Sequence, residues 1–258
     1  MRISNIKNAR TAVILCGGRG TRLGQITKKI PKSLVKIYGK PIIWYILKIL
    51  KKNKFNHFIL PTGYKEDEIK KYFKKKIFRN YNLTIVSTGV DTPIAKRIFL
   101  IKKYIQSDNF LLLNGDAVFD FNLDRIYRNH IKEEKNFITF LGSETNLPYG
   151  TIVLSKGVVK KFERDVMFDA VKLSNKYNII SHVYSGMAIL KSKILKKNIR
   201  NYKNFESELY PKIIKNKICK FEKISGFWHS IDNIKDVKIL KSDKTKKKKI
   251  INLLNKIK

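Results

Sequence analysis

A glycine-rich turn directly follows the first apolar run of the chain and has two cations downstream of it. The segment GGRG, residues 17–20, carries few β-carbons, so its backbone N–H groups can point at an anion. Arg22 follows at once, and Lys32 comes after Pro31, whose ring restricts the local backbone. Because cations at two separated points of one loop suit a polyphosphate, this stretch predicts a phosphate-binding loop.

The loop matches neither of the two common phosphate-binding templates. A Walker loop requires Lys after its last glycine, but Gly24 is followed by Gln25. A dinucleotide fingerprint, G-x-G-x-x-G, begins at Gly18 and Gly20 but has Leu23 in its third position. The anion and its chemistry must therefore be inferred from other residues.

Two aspartates at the ends of predicted strands are candidates for a metal site. Asp116 ends the apolar run LLLNGD, and open α/β sheets place ligand-contacting groups at the carboxyl ends of their strands. A carboxylate there can hold Mg²⁺ together with substrate phosphates and water. A turn-capping or helix-capping role is the alternative for Asp116 and for its neighbours Asp120 and Asp124. Asp232 ends the aromatic-rich run GFWHSID, and on its own it is uninformative.

The sequence lacks the motifs of nucleophilic and zinc-dependent hydrolases. It contains no G-x-S-x-G and no H-E-x-x-H, and its four histidines have no metal-binding spacing. A reaction that needs only positioned positive charge explains this absence. Phosphoryl or nucleotidyl transfer from a triphosphate is such a reaction, and an anionic phosphate acceptor requires no general base.

The elements that must position these residues alternate between strand and helix in the first half. Strands are predicted at 11–16, 57–63, 83–88, 109–116 and 136–142, and helices at 41–53, 65–76, 92–105 and 123–134. Crossover helices between strands imply an α/β fold with a mixed, mostly parallel central sheet and helices on both faces. After residue 145 the pattern changes to a hairpin around 156–157, a strand at 181–190, a short helix at 205–216 and two strands within 217–232.

We therefore predict a single domain over residues 1–245, with a first half at 11–145 and a substrate-binding second half at 146–240. Residues 246–258 are predicted to form a basic tail, as a solvated terminal helix or, less favoured, a surface that contacts a membrane or partner.

Composition favours a folded protein with reduced cysteines. Hydrophobic residues make up 43% of the 258, and no apolar run reaches the roughly 20 residues of a membrane span. Cys16 and Cys219 lie in apolar contexts, and the first ten residues lack the core of a secretory signal, so we expect a cytoplasmic protein. The net charge of +36 suggests a polyanionic partner, but lysines spread over the whole chain favour solvated faces and no nucleic acid.

The segments AVILCGGRGTRL and PKSLVKIYGKPIIWYIL together resemble the signature of the sugar-phosphate nucleotidyltransferases, which is GGxGTRL followed after a short spacer by PK. GYKEDEIKKYF, LNGDAVFDFNLDRIYRNH, YGTIVLSKGVVKKFERD and FWHSIDNIKDV follow in the family's order, so the similarity covers about residues 11–240. The resemblance implies a Rossmann-like nucleotidyltransferase fold and a Mg²⁺-dependent reaction. In that reaction an NTP and a sugar 1-phosphate give an NDP-sugar and pyrophosphate.

The resemblance also implies that the half at 11–145 binds the nucleotide and the half at 146–240 binds the sugar, and it implies roles for individual residues. Arg22 would grip the leaving pyrophosphate, Lys32 would contact the phosphates around the α-phosphorus, and Asp116 and Asp232 would hold the metal. The nucleotide would be bound by Cys16, Gly17, Gly18, Gly20, Thr21, Thr88, Gly89 and Thr92, and the sugar phosphate by Tyr149, Gly150, Glu163, Arg164, Ser185 and Gly186.

Within the family, GKPIIWYILKIL, STGVDTPIAKRI and GFWHSIDNIKD most resemble the glucose-1-phosphate cytidylyltransferases, whereas NGDAVFDFNLD is closer to guanylyltransferases acting on mannose or heptose 1-phosphates. Three departures affect the substrate assignment. The chain has Ile94-Ala95-Lys96-Arg97 where the cytidylyltransferases have T-G-G-R, and Glu163-Arg164-Asp165 where the family has E-K-P. It has Ser185-Gly186 in place of the usual pair of glycines near the sugar.

The sequence thus predicts a nucleotidyltransferase that makes an activated sugar for surface glycans, using CTP and glucose 1-phosphate. GTP, dTTP or UTP with another phosphate acceptor is an alternative within the family. A catalytically idle relative that binds a nucleotide as a regulator is a second alternative, and a basic nucleic-acid binder is a third that no motif supports. A homo-oligomer is compatible with the sequence.

Overall fold

The computed structural model describes residues 9–143, 145–146, 151–155, 158–163, 167–168, 171–172, 180–195 and 197–257. The strands in these residues are β1 (Thr11–Leu15), β2 (Lys36–Ile37), β3 (Lys40–Pro41), β4 (His57–Thr62), β5 (Asn82–Ser87), β6 (Asn109–Asn114), β7 (Ala117–Asp120), β8 (Ile138–Ser143), β9 (Thr145–Asn146), β10 (Thr151–Ser155), β11 (Val158–Glu163), β12 (Met167–Phe168), β13 (Val171–Lys172), β14 (Ile180–Ser181), β15 (Val183–Lys191), β16 (Cys219–Lys223) and β17 (Phe227–Ser230).

The helices are α1 (Gln25–Lys29), α2 (Ile42–Lys52), α3 (Glu66–Phe73), α4 (Ile94–Ile101), α5 (Leu123–Lys132), α6 (Tyr210–Asn216), α7 (Ile234–Ser242) and α8 (Lys244–Ile257). Short 3-10 turns cover Thr21–Leu23, Lys32–Leu34, Lys76–Phe78, Lys102–Tyr104, Ser192–Ile194 and Lys197–Asn201.

Seven strands form one central sheet in the order β16-β8-β15-β6-β1-β4-β5. Strand β1 pairs in parallel with β4 and β6, β4 with β5, and β8 with β16. Only β15 runs antiparallel to both of its neighbours in this sheet. The predicted mixed, mostly parallel sheet is therefore confirmed, and each strand predicted in the first half begins and ends within two residues of its observed bounds.

The central sheet is buried on both faces because alternate residues of its middle strands enter two apolar clusters. From β1, Ala12 and Ile14 pack on the face covered by α2 and α8, whereas Val13 packs on the face covered by α4 and α6. Burial on both faces explains why the central strands read as continuous apolar runs rather than as alternating ones.

The second half adds short two-stranded ribbons to this sheet. Strands β10 and β11 pair in antiparallel fashion, which confirms the predicted hairpin, although its turn at 156–157 lies outside the described residues. Strand β17 pairs with β7, so that the late aromatic-rich segment lies beside the strand that follows Asp116. The second half also pairs β9 with β12 and β13 with β14, and a further ribbon, β2 with β3, lies in the first half.

The helix predicted over 205–216 is divided into two parts. A π-helical turn covers Phe205–Leu209, and the α-helical part α6 starts at Tyr210 with Pro211 in its first turn. Proline has no N–H to donate, so it is tolerated in a first turn but not in the middle of a regular helix. Pro211 therefore accounts for the change of helix type.

The C-terminal residues predicted to form a solvated tail are part of the core. Helix α8 buries Ile250, Leu253 and Ile257 in the same cluster as α2, while its lysines face outward. The prediction of a solvated terminal helix is therefore wrong for this face, because the apolar positions repeat at the 3–4-residue spacing of one helix stripe. In the described part of the chain no helix is both long and apolar enough to cross a membrane.

Candidate active site

A cavity of about 530 Å³ opens at the carboxyl edge of the sheet, where the loops after β1, β5 and β6 meet. This is the edge at which open α/β sheets bind ligands. Ten of the predicted site residues line it: Cys16, Gly17, Gly18, Gly20, Thr21, Arg22, Lys32, Thr92, Asp116 and Asp232. Predicted site residues from segments that lie far apart in the chain therefore meet in one cavity, and their contact with a substrate or a metal stays a prediction.

The glycine turn holds Lys32 in this cavity through a close contact. Gly20 has a φ of 63°, a left-handed conformation that disfavours a side chain, and a β-carbon there would lie 3.1 Å from Cβ of Lys32. The hydroxyl of Thr27 donates to the carbonyl oxygen of Gly20 at 3.0 Å and fixes the turn from the other side. The lysine stem therefore packs on the turn.

Lys32 joins the two predicted metal-binding aspartates. Its Nζ atom lies 2.9 Å from Oδ2 of Asp116 and 3.1 Å from Oδ1 of Asp232. The Lys32 and Asp116 side chains are 16% and 21% exposed, so this pair is largely shielded from water. Arg22 is 74% exposed and approaches Oδ1 of Asp232 to 3.4 Å from the solvent side.

The pairing of β7 with β17 explains why the two aspartates meet. Ser230 lies opposite Ala117, and the N–H of Ile231 donates to the carbonyl oxygen of Asp116 at 2.9 Å. Asp232 is then fixed by its neighbours. The Ser230 hydroxyl donates to its Oδ2 at 2.8 Å, and its N–H donates to Oδ2 of Asp236 at 2.7 Å. Asp236 also completes the capping box that begins α7.

The two aspartates have opposite pKa shifts. Burial raises the pKa of Asp116 above its usual range, although the ammonium of Lys32 opposes the rise. Burial would also raise the pKa of Asp232, but the hydrogen bond from Ser230 and the charge of Lys32 outweigh it and lower that pKa. A second cation at this point would favour the ionised form of Asp116.

These carboxylates fit Mg²⁺ by the chemistry of their donor set. Both reach one positively charged atom, which shows that their oxygens converge on a point where a cation is stable. In the described part of the chain no cluster of three or more His, Cys, Asp or Glu side chains could hold a metal ion. Mg²⁺ does not require one, because one or two carboxylates with substrate phosphates and water complete its coordination.

The opposite end of the cavity is formed by the loop after β5. Its lining there consists of Val90, Asp91, Thr92, Ile94 and the buried residue Arg97. In the sheet order, β1 and β4 stand between β5 and β6, so the ends of β5 and β6 are three strand spacings, roughly 14 Å, apart. The cavity therefore has one end, at Asp116 and Lys32, whose charged groups suit phosphates, and a separate end at the loop after β5.

An ion pair connects this loop to the glycine turn at the surface. Nε and Nη2 of Arg19 donate to Oδ1 and Oδ2 of Asp91 at 2.8 and 2.7 Å. The two side chains are 50% and 71% exposed, so the pair contributes little to stability. It does bring the outer edges of two cavity loops together.

Two of the predicted nucleotide-binding residues lie outside the lining of the cavity. Thr88 and Gly89 belong to the loop after β5 but are not among the residues that line the cavity. The Thr88 hydroxyl is buried and donates to the carbonyl oxygen of Thr62 at 2.6 Å, and it accepts from Arg97 at 2.6 Å. Contact of either residue with a nucleotide stays a prediction.

The sugar-phosphate residues are only partly described. Ser185 is buried in β15, and its hydroxyl donates to the carbonyl oxygen of Leu141 at 2.7 Å. Gly186 has a φ of 74°, and a β-carbon there would lie 2.5 Å from Nδ2 of Asn114, a cavity residue. Glu163 ends β11, and Tyr149, Gly150 and Arg164 lie outside the described residues. Binding of a sugar phosphate by these residues stays a prediction.

The Ile94–Arg97 departure does not close the cavity. Lys96 is exposed and is not one of the lining residues, whereas Ile94 lines the cavity. Cys16, also in the lining, is a buried free thiol whose pKa burial raises to about 12, so it is not a thiolate nucleophile at neutral pH.

The structural importance of Arg97 was not recognised from the sequence. A signal existed, because Ile94, Ile98 and Ile101 mark one face of α4 and Arg97 occupies the same face at the i+3 position. A charged residue on an apolar stripe indicates a buried polar network. Asn114, at the end of β6, was missed for lack of any distinctive spacing.

A second cavity of about 600 Å³ lies between β8, β15, β16 and α6. Its described lining is largely aromatic, with Phe140, Tyr184, Tyr210 and Phe221, and includes no lysine or arginine. It is therefore poorly suited to phosphates, in contrast to the cavity at the glycine turn.

The comparisons with known proteins agree with this geometry. The sequence model of the family described as nucleotidyl transferase matches residues 11–231. A probable glucose-1-phosphate cytidylyltransferase of Bacillus subtilis (strain 168) is 32% identical over 247 residues, which cover 88% of this chain and 92% of that protein. The mannose-1-phosphate guanylyltransferase catalytic subunit beta of Xenopus tropicalis is 30% identical over 235 residues, which cover 87% of this chain and 62% of that protein.

Solved structures confirm the fold. HddC from Yersinia pseudotuberculosis, in a crystal structure complexed with GMP-PN, superposes with a TM-score of 0.67 at 23% identity. The match covers 89% of this chain and 96% of that chain. The predicted Rossmann-like architecture is thus confirmed.

Proposed function

Because this chain belongs to the nucleotidyl transferase family, we propose that it transfers a nucleotidyl group from an NTP to a sugar 1-phosphate, giving an NDP-sugar and pyrophosphate. The observation that carries the proposal is the meeting of Lys32, Asp116 and Asp232 at one end of a cavity edged by the glycine turn. Cations, metal-compatible carboxylates and free backbone N–H groups are the groups that a triphosphate requires.

The proposed reaction exchanges one phosphorus–oxygen bond for another. An anionic oxygen of the sugar phosphate forms a bond to the α-phosphorus of the NTP, and the bond from that phosphorus to the oxygen bridging to the β-phosphate breaks. Pyrophosphate leaves with the bonding electron pair, so no proton has to be removed. The residues of the site therefore need to align the phosphates and neutralise their charge.

Arg22 and Lys32 are the cations placed for this work. Arg22 is exposed at the mouth of the cavity and can follow the negative charge that grows on the leaving pyrophosphate. Lys32 is half-buried and lies closer to the carboxylates, where the α-phosphate would be held. Contacts that strengthen as the leaving-group charge grows raise kcat, because they favour the transition state over the bound substrate.

Asp116 and Asp232 would hold Mg²⁺ in the proposed reaction. When bound there, the ion would neutralise charge on the phosphates and orient them. In the protein alone, Lys32 supplies the positive charge that keeps the two carboxylates together.

For the substrates we propose CTP and glucose 1-phosphate. Support comes from the Bacillus subtilis relative, which is named as a probable glucose-1-phosphate cytidylyltransferase and matches along nearly all of both chains. A guanylyltransferase acting on mannose or heptose 1-phosphate is the second candidate; the Xenopus tropicalis relative is named for mannose 1-phosphate, and a Campylobacter jejuni relative that is 36% identical over 124 residues is named for D-glycero-alpha-D-manno-heptose 1-phosphate. The product would serve surface-glycan synthesis in the cytoplasm, a compartment that suits the two free thiols.

A grid of substrates tests this proposal. Pyrophosphate release is measured for CTP, GTP, dTTP and UTP with glucose, mannose and heptose 1-phosphates, with and without Mg²⁺. We expect the highest kcat/KM for CTP with glucose 1-phosphate and none without metal. A maximum at GTP with mannose or heptose 1-phosphate selects the second candidate. Nucleotide binding without turnover of any pair indicates a regulator and contradicts the enzymatic proposal.

A further inference from the structure

The guanidinium of Arg97 donates all of its hydrogen bonds to other groups of the protein. The residue is buried, with 5% of its surface exposed. Nε donates to Thr92 O at 2.9 Å, Nη1 donates to Thr62 O at 3.1 Å and Thr88 Oγ1 at 2.6 Å, and Nη2 donates to Gly17 O at 3.2 Å and Val90 O at 2.7 Å. Arginine has five N–H groups in its guanidinium, and all five are used.

These acceptors come from the segments that follow three neighbouring strands. Gly17 follows β1, Thr62 ends β4, and the acceptors from Thr88 to Thr92 form the loop after β5. Of the five, Gly17, Val90 and Thr92 line the cavity. One side chain therefore connects the separate loops that make up the end of the cavity remote from Asp116.

The backbone is shaped to admit this guanidinium. A β-carbon at Gly17 would lie 2.1 Å from Nη1 of Arg97, and one at Gly63 would lie 2.8 Å from the same atom. Two loops thus leave out their side chains where Arg97 enters. Packing of this closeness fixes the positions of the loops as well as the direction of their carbonyl groups.

We propose that Arg97 is a positioning residue for the nucleoside part of the substrate, which it serves by holding the loops after β1, β4 and β5 in one arrangement. The inference rests on the proposed function, because it assumes that phosphates bind at the Lys32 and Asp116 end. Arg97 also lines the cavity, but its donors are all used by the protein, so we assign its effect to the loops that it holds and not to a hydrogen bond to the substrate. Its four carbonyl partners are also directed at the guanidinium instead of at the cavity.

Lysine cannot replace arginine in this role. An ammonium group has only three donors, all on one atom, so it leaves at least two of the five acceptors without a partner. Carbonyl oxygens that lose their partner in a buried position must recruit water or move. Asp91, whose charge acts on Arg97, accepts its two hydrogen bonds from Arg19 and does not compensate for the loss.

The test compares the effect of R97K on nucleotide binding with its effect on the use of the sugar 1-phosphate. Equilibrium titration of the full-length protein with CTP and with GTP gives Kd, and steady-state kinetics give KM for both substrates. We expect R97K to weaken the binding of the preferred nucleotide about tenfold or more, with KM for the sugar 1-phosphate within about twofold. R10K is the matched control, because the Arg10 side chain is also mostly buried, at 19% exposed, and hydrogen-bonded, to Asn53 O and Asp124, but does not line the cavity.

A second variant keeps the test decisive if R97K does not fold. T88V removes one Arg97 acceptor, and we expect nucleotide binding to weaken about threefold or more. The double variant R97K/T88V shows whether Thr88 acts through Arg97 or contacts the nucleotide itself. If Thr88 acts through Arg97, the nucleotide Kd of the double variant should equal that of R97K.

Two outcomes overturn the inference. Unchanged nucleotide affinity in R97K, or in T88V where R97K is unfolded, shows that the network does not position the nucleoside. Equal losses for nucleotide and sugar phosphate show a general structural role. If the wild-type protein turns over its substrates, either of these outcomes rejects the role of Arg97 but leaves the proposed function intact. A wild-type protein that binds none of the four nucleoside triphosphates overturns both.

Discussion

Lys32 and Asp116 are 84 positions apart in the sequence, yet Nζ of the lysine lies 2.9 Å from Oδ2 of the aspartate. The lysine is held by the turn at Gly20, and the aspartate by the pairing of β7 with β17. Two independent parts of the fold thus bring opposite charges together in a shielded position. The ion pair shows that the Asp116 carboxylate faces a cation, and its role as a metal ligand stays a prediction.

Replacement of Asp116 tests that role. Asparagine keeps the size and one acceptor oxygen but removes the charge, so we expect D116N to lower kcat on the order of 100-fold. The free energy of unfolding should change by less than about 1 kcal/mol, since Asn can still accept from Lys32. Pyrophosphate release and urea denaturation measure the two effects.

Asp120 provides the control for this experiment. It ends β7, the strand that directly follows Asp116, and pairs with Lys256 at 2.8 Å outside the cavity. D120N should leave kcat within about twofold, because an exposed ion pair contributes little. If D116N turns over as fast as D120N, Asp116 is structural.

The contrast between Gly17 and Gly18 gives a second prediction. A β-carbon at Gly17 would collide with Arg97, whereas one at Gly18 would meet no atom within 4 Å. We expect G17A to lower the free energy of unfolding by about 1–3 kcal/mol, because the guanidinium must move. G18A should leave it within about 0.5 kcal/mol.

Urea denaturation of both variants measures this difference, and nucleotide titration adds a second result. Gly18 lines the cavity, so G18A should weaken nucleotide binding without affecting the fold if the backbone approaches a phosphate there. Equal stability of the two variants would contradict the packing of Arg97 against Gly17.

The sequence predicted the elements of the first half because each carries its own local signal. Strand β1 is an apolar run ending in glycines, and α3 has acids in its first turn and lysines in its last. Each of these patterns is formed by residues close together in the chain, and the folded protein keeps the strand or helix that the pattern predicts. The glycine turn and Lys32 were predicted for the same reason.

Long-range relationships could not be predicted in this way. Nothing local shows that β17 pairs with β7, so the proximity of Asp232 to Asp116 followed only from a family resemblance. The burial of α8 could not be predicted either, because an amphipathic pattern does not show whether the apolar face of a helix packs against the same domain. The place of Arg97 on the apolar stripe of α4 indicates burial, but its partners could not be predicted, because four of its five acceptors are backbone carbonyl groups that no side-chain pattern records.

A buried histidine makes stability depend on pH. Nε2–H of His130 donates to Oδ1 of Asn109 at 3.1 Å, and its Nδ1 accepts from the Thr139 hydroxyl at 2.8 Å. The Thr139 oxygen accepts in turn from Asn136, which fixes the neutral tautomer. Burial, reinforced by the charge of Lys191, lowers the pKa of His130 to about 4.

The sign of the effect follows from this lowered pKa. Between pH 6.5 and 4 the unfolded chain takes up a proton on His130 that the folded protein does not, so stability falls as the pH falls. The full loss from this group is roughly 3 kcal/mol. We expect urea denaturation of H130Q to show a smaller decrease over the same range. Parallel pH profiles for wild type and H130Q would exclude His130 as the cause.

Helix α8 supplies the last prediction, on whether the basic C-terminal segment belongs to the domain. Leu253 is 0% exposed and packs in the cluster that contains α2, whereas Ile251, two positions earlier, is 40% exposed. Truncating the buried leucine removes apolar contacts and leaves a cavity, so L253A should cost about 2–5 kcal/mol of unfolding free energy. Truncating the exposed isoleucine should cost less than about 1 kcal/mol.

The two α8 variants have the same helix, the same charge and nearly the same propensity change, so their difference isolates docking from helix formation. Urea denaturation should place L253A at a clearly lower midpoint than I251A, with an unchanged m-value. A similar midpoint for both would mean that α8 does not pack against α2 in solution. In that case the lysine-rich segment would be a detached helix, and its role would have to be sought in a partner outside the domain.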